Sequence, residues 1–118
     1  MQTKQQPFIT VVTVCYNSKD HIKETITSVI NQSYSNKEYI IIDGASTDGT
    51  LEIIEPLRKH IDAFISEPDN GIYHAMNKAV AKSLGEWVIF MNAGDVFVDN
   101  SILKQVSYSL NKDIDVLY

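Results

Sequence analysis

The apolar stretch FITVVTVC, residues 8–15, decides the fold class of this chain. It is rich in β-branched residues and almost free of polar ones, which is typical of a strand buried on both faces of a sheet. Comparable short runs follow at residues 39–42, 63–66 and 86–91, and a further run begins at residue 115. Strands that do not alternate between apolar and polar residues predict a parallel sheet covered by helices.

Segments with helical spacing of apolar residues separate these runs. The first contains Ile22, Ile26, Val29 and Ile30, and the others cover residues 51–57, 72–84 and 101–110. Strands and helices therefore alternate, which predicts an α/β fold: a Rossmann-like, mostly parallel sheet with helices on both faces. No composition shift interrupts the pattern, so residues 1–118 are expected to form a single domain.

Local signals mark the ends of the predicted helices. Asn17 or Ser18 is expected to cap the first helix, and residues 46–50 are expected to cap the second. Pro56 predicts that the second helix is short or kinked, because proline cannot donate a backbone hydrogen bond. Gly85 is expected to be the C-cap of the third helix. The residues expected to face inward from that helix are Met76, Ala79, Val80 and Leu84.

The composition describes a folded, acidic protein. Apolar residues make up 44% of the 118 residues and charged residues 21%, and the formal net charge is −5. The ten lysines and arginines are scattered, which argues against nucleic acid as a partner, because phosphate binding needs clustered positive charge. Cys15 is the only cysteine, which excludes an internal disulfide. Neither a signal peptide nor a membrane-length apolar run is recognisable, so we expect a cytoplasmic protein.

Polar residues collect where the predicted strands end. The first strand ends in Tyr16-Asn17, the second in Asp43-Gly44, the third runs into residues 67–71, and the fourth ends in residues 92–95. The carboxyl ends of parallel strands meet at one edge of a sheet. These residues are therefore expected to face one crevice, where α/β folds bind their ligands.

Each of these residues also has an ordinary structural explanation. Asp43 and Gly44 form a common turn pair, Tyr16 alone is more often a half-buried aromatic residue, and Asp95 can cap a turn. Together, a ring that stacks on a base, a carboxylate that accepts its N–H and an oxygen ligand for a metal would make a nucleotide site. The turn at residues 15–18 has no glycine and no P-loop sequence occurs, which excludes dinucleotide and P-loop sites. A receiver domain would need acidic residues after the first strand, where this chain has Tyr16 and Asn17, so that class is disfavoured as well.

Four motifs resemble one family, the inverting family 2 glycosyltransferases with the GT-A fold. They are TVVTVCYN (10–17), IIIDGASTDGT (40–50), SEPDNGIYHAMNKAV (66–80) and GEWVIFMNAGD (85–95). The motifs stand in the family's order and cover nearly the whole chain. The resemblance implies the nucleotide-binding half of a GT-A domain that is truncated on its C-terminal, acceptor side.

The resemblance also implies roles for individual residues. Tyr16 corresponds to the aromatic residue that packs on the nucleotide base, and Asp43 to the carboxylate that accepts from the base N–H. Asp95 corresponds to the aspartate that ends the family's D-x-D stretch and binds Mn²⁺ or Mg²⁺. The positions implied to bind the donor nucleotide are Val14, Tyr16, Asn17, Asp43, Asp69, Gly71, Asn77, Asn92 and Gly94.

Two departures from the family pattern remove carboxylates. Gly44 stands where the family often has a second Asp, and Asn92 and Gly94 stand where acids are common. Asp95 is therefore the only carboxylate of its motif. One is enough, because Mg²⁺ and Mn²⁺ in phosphate sites need only one or two protein carboxylates. Asn92 can still bind a ribose hydroxyl, and Gly94 lets a diphosphate approach the backbone.

Five further residues carry weaker signals. His74 lies one turn into the third predicted helix near the expected diphosphate, where a lone histidine is more often a surface or capping residue. Asp48 is expected to serve a helix N-terminus, and Cys15 to be a small buried side chain. Asn77 and Lys78 stand where the family has polar residues near the donor.

The resemblance predicts a metal-dependent glycosyltransferase that moves a sugar, with inversion, from a nucleotide-sugar donor to a glycan or lipid-linked acceptor. A UDP-sugar donor and a setting in cell-surface polysaccharide synthesis are expected, and peripheral contact with the inner face of the membrane is left open. The alternative is a non-catalytic module that binds a nucleotide or nucleotide-sugar, and a more distant one is a crevice for a partner only. The general base is expected beyond Tyr118, because none of the acids after Asp95 is placed to reach an acceptor. Those acids are Asp99, Asp113 and Asp115.

Overall fold

The computed structural model describes residues 7–110 and 116–117. The strands are β1 (Ile9–Cys15), β2 (Lys37–Asp43), β3 (Ala63–Ser66), β4 (Trp87–Phe90) and β5 (Val116–Leu117). The helices are α1 (Ile22–Ile30), α2 (Thr50–Ile54), a 3₁₀ helix (Glu55–His60), α3 (Ile72–Lys82) and α4 (Ile102–Ser109). Within these described ranges, no helix combines the length and the apolar character that crossing a membrane requires.

The strands form one sheet in the order β3-β2-β1-β4-β5, and every pair of neighbours is parallel. β1 lies in the centre, where Ile9 pairs with Lys37 of β2 on one side and with Trp87 of β4 on the other. The chain winds outward from β1 to β3 and then returns to place β4 beside β1. The edge between β1 and β4 is thus the switch point at which open α/β sheets form their ligand crevice.

The two faces of the sheet carry separate apolar clusters. Successive side chains of a strand point to opposite faces. Val11 belongs to a cluster that includes residues of α1, α2 and α4. Val12 points the other way and packs in a cluster with Ala75 and Ala79 of α3. Among the described residues, α1, α2, α4 and the 3₁₀ helix therefore cover one face and α3 covers the other, and the predicted α/β architecture is confirmed.

Helix α1 begins later than the sequence predicts. His21 is its N-cap residue and no side chain caps it, so the expectation that Asn17 or Ser18 does so is wrong. Asn17 instead has a φ of 46°, and its side-chain oxygen accepts the Thr47 N–H at 2.8 Å. Ser18 donates its hydroxyl to the Tyr16 carbonyl. Both residues therefore fix the turn that follows β1.

Helix α2 follows the predicted pattern more closely. Its N-cap residue is Gly49, without a side-chain cap. The carboxylate of Asp48 accepts the N–H of Thr50 at 3.0 Å, which confirms that this acid serves the helix start. The α-helical segment ends at Ile54, and a 3₁₀ helix with Pro56 in its first turn continues the chain. The prediction of a short or kinked helix is thereby confirmed.

Gly85 has a different role from the predicted helix cap. Helix α3 ends at Lys82 with Ser83 as its C-cap residue. A β-carbon on Gly85 would lie 2.6 Å from the Thr10 backbone nitrogen and 3.0 Å from the Phe8 carbonyl oxygen. The Gly85 N–H also donates to the Thr10 hydroxyl oxygen at 2.9 Å. Only glycine lets the chain pass this close to the start of β1.

The inward face of α3 consists of small residues. Ala75 and Ala79 are buried, whereas Val80 and Leu84 are exposed, so the expectation that these two face inward is wrong. Met76 is partly buried against the same cluster, as expected. The alanines form the helix face against the sheet, whereas Val80 is exposed on the helix and Leu84 follows the helix end at Lys82.

Candidate functional site

A cleft of about 630 Å³ opens at the carboxyl ends of the strands, within the size range of small-molecule sites. The predicted donor-binding residues that line it are Val14, Tyr16, Asp69, Gly71 and Asn92. Gly44 and Ile72 also line the cleft. The predicted residues that do not line it are Asn17, Asp43, Asn77, Gly94 and Asp95.

Tyr16 stands at the mouth of the cleft with 63% of its surface exposed. On one side of it, the Cys15 carbonyl accepts the Gly44 N–H at 2.9 Å. On the other side, the Asn17 N–H donates to the Ser46 hydroxyl oxygen at 2.8 Å. These bonds tie the backbone around Tyr16 to the turn after β2, and they leave its ring open to stack on a planar ligand.

The Asp43 carboxylate is fully buried and does not line the cleft. Ser46 donates its N–H at 2.9 Å and its hydroxyl at 2.6 Å, and the Ser66 hydroxyl donates at 2.8 Å. The Cys15 thiol completes the set at 3.3 Å. Because a carboxylate has about four acceptor positions, these donors occupy it. The expectation that this side chain faces the crevice is therefore wrong, since the chain after Asp43 folds back over it.

Cys15 is the thiol partner in this buried cluster. Burial raises the pKa of the Cys15 thiol far above its ordinary value, and the charge of Asp43 raises it further. The thiol therefore stays protonated and acts as a hydrogen-bond donor to the carboxylate. The expectation of a small buried side chain is confirmed.

The loop between β3 and α3 carries a second carboxylate, Asp69, in the cleft wall. Its Oδ1 accepts the N–H of Gly71 at 3.2 Å. A β-carbon on Gly44 would lie 3.2 Å from Asp69 Oδ2 and 3.3 Å from Cδ1 of Tyr16. The carboxylate and the ring therefore flank Gly44 and use the space that its missing side chain leaves. Gly71 itself has a φ of 112°, which favours glycine.

Polar residues of α3 hold this loop from behind. His74 Nδ1 accepts the Asn70 N–H at 2.8 Å, which confirms its interpretation as a capping residue. Lys78 Nζ lies 3.0 Å from Glu67 Oε1 and also donates to a carbonyl of the loop. Asn77 is exposed on the helix and outside the cleft lining.

The turn after β4 presents an amide and a carboxylate. The Val14 N–H lies 3.4 Å from Asn92 Oδ1, and the Ala93 N–H donates to the Val14 carbonyl at 3.1 Å. These contacts hold Asn92 against the end of β1. Within the turn, Asp95 Oδ2 accepts the Asn92 N–H at 3.0 Å. Asn92 therefore lines the cleft, and Asp95 lies next to it in the turn, outside the cleft lining.

Helix α1 holds the same turn from the opposite side. The Thr25 hydroxyl oxygen accepts the Gly94 N–H at 2.9 Å and donates to the His21 carbonyl at 3.3 Å. The Ser28 hydroxyl oxygen accepts the Phe97 N–H at 3.3 Å. Gly94 has a φ of 100°, so glycine is favoured where the turn reverses.

Asp95 fits a divalent cation as a single protein ligand. Its side chain is exposed, and only Oδ2 has a hydrogen-bond partner among the described residues. The neighbouring Gly94 has open space where a side chain would stand. Across residues 7–110 and 116–117, no three His, Cys, Asp or Glu side chains gather to hold a metal by themselves. A cation here would take its other ligands from phosphates and water, as Mg²⁺ commonly does.

The hydroxyl groups that build the site were missed in the sequence. Ser46 lies three residues after Asp43, and this short spacing is a local signal of a side chain that binds the following backbone. Ser66 and Thr25 reach their partners from other elements. No short spacing in the sequence marks these long-range contacts.

The sequence matches the family described as Glycosyl transferase family 2 over residues 10–118. It is 33% identical over 113 residues to TuaG of Bacillus subtilis, a glycosyltransferase provisionally assigned to teichuronic acid biosynthesis, and the match covers 93% of this chain and 45% of TuaG. It is 27% identical over 111 residues to WfgD of Escherichia coli, which is named a UDP-Glc:α-D-GlcNAc-diphosphoundecaprenol β-1,3-glucosyltransferase. That match covers 93% of this chain and 44% of WfgD. The chain thus spans less than half the length of these relatives.

Solved structures share the fold. The mannosyltransferase PcManGT from Pyrobaculum calidifontis, in complex with GDP-Man and Mn²⁺, superposes with a TM-score of 0.84 at 25% identity, over 92% of this chain and 34% of that protein. TarS from S. aureus in complex with UDP-GlcNAc superposes with a TM-score of 0.77 at 26% identity, over 87% of this chain and 31% of the TarS chain. With the family match across nearly all its length, this chain belongs to glycosyl transferase family 2.

Proposed function

We propose that the chain is the nucleotide-sugar-binding part of a metal-dependent glycosyltransferase that uses a UDP-sugar. The observation that carries this proposal is the convergence of Tyr16, Asp69 and Asn92 on one cleft at the carboxyl ends of the strands. An exposed aromatic ring, a carboxylate and an amide are the groups that bind a planar base and a ribose. Their arrangement at the switch point of a parallel sheet supports a nucleotide as ligand.

The proposed donor site has a base end and a phosphate end. Tyr16 stacks on the base, and the Val14 backbone lies beside it. The amide of Asn92 donates to a ribose hydroxyl. Gly71 and Gly94, with no side chains in the way, let the diphosphate approach the backbone of the two loops. Asn17 lies outside the cleft and accepts the Thr47 N–H. It therefore contributes to donor binding indirectly, by holding the turn that carries Tyr16.

Asp95 is the residue proposed to hold Mn²⁺ or Mg²⁺ at the phosphate end. A cation bound there supplies charge stabilisation for the nucleoside diphosphate as it leaves. The Asn92 N–H donates to Asp95 Oδ2, which holds the Asp95 carboxylate beside a residue that lines the cleft. Thr25 maintains the same turn through Gly94. These contacts preorganise the phosphate end before a ligand arrives.

The acceptor hydroxyl needs a general base, and Asp99 is poorly suited to that role. It accepts the hydroxyl and the N–H of Ser101 at 2.7 and 2.8 Å. These bonds, the hydroxyl first, hold the pKa of Asp99 below its ordinary value, whereas a general base works best with a pKa near the operating pH. Asp113 and Asp115 lie outside the described residues. We therefore propose that a segment other than residues 7–110 supplies the base.

The same observation favours a second candidate function. A module that binds a nucleotide or nucleotide-sugar without catalysis would need the cleft and no base. Incubating the full-length protein, which would include the segment that supplies the base, with labelled UDP-sugars, Mn²⁺ and mixed acceptors separates the two functions. Labelled product supports the transferase, whereas donor binding without product supports the module.

The setting proposed for the full protein is cell-surface polysaccharide synthesis with inversion at the transferred sugar. TuaG carries a name from teichuronic acid biosynthesis, and WfgD is named for a diphosphoundecaprenol-linked substrate. These names support a glycan or lipid-linked acceptor. Work on a lipid-linked acceptor would bring the protein to the inner face of the membrane as a peripheral partner.

The metal assignment is tested by replacing Asp95 with Asn. Calorimetric titration with UDP, in Mn²⁺ and in chelator, compares the variant with the parent chain. Asp95→Asn should abolish most of the Mn²⁺-dependent gain in affinity and leave the metal-free affinity close to that of the parent. Asp99→Asn removes a nearby exposed carboxylate and should leave both values unchanged. If Asp95→Asn lost the same UDP affinity with and without Mn²⁺, Asp95 would not be a ligand of the cation.

A further inference from the structure

We infer that Asp69, rather than Asp43, recognises the base of the donor nucleotide, and that it selects an imide base, uracil or thymine. This inference rests on the proposed function and adds the chemistry of the ligand at the base end of the cleft. The two acids differ in access. Asp43 is fully buried with four donors around its oxygens. Asp69 lines the cleft beside the exposed Tyr16 ring.

Gly44 makes the position of Asp69 possible. A β-carbon there would stand 3.2 Å from Asp69 Oδ2 and 3.3 Å from Tyr16 Cδ1. Both separations are tighter than ordinary van der Waals contact, so a side chain at this position would push the carboxylate or the ring away. The absence of a side chain therefore sets the carboxylate next to the face on which a base would stack.

Oδ2 is the Asp69 oxygen that no other group engages among the described residues. Oδ1 accepts the Gly71 N–H at 3.2 Å, and Oδ2 has no hydrogen-bond partner among residues 7–110 and 116–117. An unengaged acceptor oxygen matches the single N3–H of uracil or thymine. Guanine presents two parallel donors, N1–H and the amino group, which pair best with a carboxylate whose two oxygens are both unengaged. Cytosine presents an acceptor at N3, which the carboxylate would repel, so that only its N4 amino group could donate to Asp69.

The bond from Gly71 also predicts what an amide would do in place of the carboxylate. In Asp69→Asn, the amide oxygen takes the bond from the Gly71 N–H, because two N–H groups cannot face each other. The amino group then points toward the base and donates where Oδ2 accepted. A donor in place of an acceptor weakens binding of uracil, which presents N3–H, and favours cytosine, which presents an N3 acceptor.

The test is calorimetric titration of the 118-residue chain and its variants with UDP, dTDP, CDP and GDP in the presence of Mn²⁺. We expect the parent to bind UDP or dTDP at least about tenfold more tightly than CDP and GDP, the span of one charge-assisted hydrogen bond. Asp69→Asn should weaken UDP by about tenfold or more and leave CDP unchanged or tighter. Gly44→Ala should weaken UDP binding, and the gain in UDP affinity that Mn²⁺ provides should persist in this variant. Glu52→Gln, an exposed acid of α2 outside the cleft, should match the parent.

The outcomes separate this inference from the proposed function. If no nucleoside diphosphate binds the parent, both fail together. If UDP binds but CDP and GDP bind equally well, or if Asp69→Asn keeps the parent's preference, the inference alone is overturned. A folded Asp43→Asn variant that loses the UDP preference while Asp69→Asn retains it would return base recognition to Asp43. A loss of preference in both Asp69→Asn and Gly44→Ala supports the inference, and circular dichroism shows that each variant is folded.

Discussion

Replacing Asp43 with Ala should damage the fold rather than the ligand site. The side chain is fully buried, and four donors converge on it from Ser46, Ser66 and Cys15. Two hydroxyls and a thiol can rotate toward other acceptors when the carboxylate is removed. The Ser46 N–H cannot, because the backbone fixes its direction.

The expected loss follows from these four contacts. A buried donor without a partner costs about 1–3 kcal/mol, and a hydrogen bond to a charged group contributes about 1.5–3 kcal/mol. Relief from burying a charge offsets part of the sum, although removing one partner from a buried charged cluster still costs about 3–5 kcal/mol. We therefore expect Asp43→Ala to lower the free energy of unfolding by about 3–5 kcal/mol, against a usual total of about 5–15 kcal/mol.

Urea unfolding followed by circular dichroism measures this loss. With a urea slope of about 1.5 kcal/mol per M, the midpoint should fall by about 2–3 M. Asp43→Asn keeps the shape and one acceptor oxygen, so its midpoint should lie between those of the parent and Asp43→Ala. If Asp43→Ala unfolds within about 1 kcal/mol of the parent and yet loses UDP binding, the carboxylate serves the ligand and not the fold.

Gly85→Ala should lower the free energy of unfolding by about 3 kcal/mol, since its β-carbon would meet the backbone of Thr10. Gly71→Ala, which meets open space and carries only the backbone strain of a φ of 112°, should lose about 1–2 kcal/mol, and equal thermal shifts in the two variants would contradict the steric explanation. The Thr50 hydroxyl holds the pKa of Asp48 below its ordinary value, so this carboxylate stabilises the fold above that value and loses its effect as the pH falls. The urea midpoint should therefore fall less between about pH 6 and pH 3 in Asp48→Asn than in the parent. An equal fall in both would show that Asp48 does not contribute to this pH dependence.

The fold was predictable because its signal is carried by composition over many residues. Five short apolar runs separated by helical spacing leave a covered parallel sheet as the natural arrangement. The order of the strands in the sheet could not be predicted in the same way, because an apolar run does not determine which strands are neighbours. The exposed Val80 shows the same limit, because the alanines of α3 form the face against the sheet, and Leu84 is exposed beyond the end of that helix.

The candidate site was predictable in place and less so in detail. Tyr16, Asp69 and Asn92 were expected at one crevice because strand ends of a parallel sheet converge, and all three line the cleft. The enclosure of Asp43 was not expected. It depends on Ser66 of the neighbouring strand and on the backbone folding back at Ser46, which are contacts between segments.

The turn that carries Asp95 is exposed to solvent, yet its backbone is anchored in the interior. The N–H groups of Met91 and Ala93 donate to carbonyls of β1 at 2.7 and 3.1 Å, and that of Gly94 donates to the buried Thr25 at 2.9 Å. Amide protons exchange with deuterium only when such bonds open. Opening these bonds requires the edge of β1 or α1 to separate, so this turn should exchange as slowly as the sheet. The loop of residues 67–71, whose bonds lie mostly at the surface, should exchange at the rate of local fraying. The turn that we propose for the metal would thus stay formed through many openings of the 67–71 loop, and we expect a ligand to enter the cleft on the side of that loop.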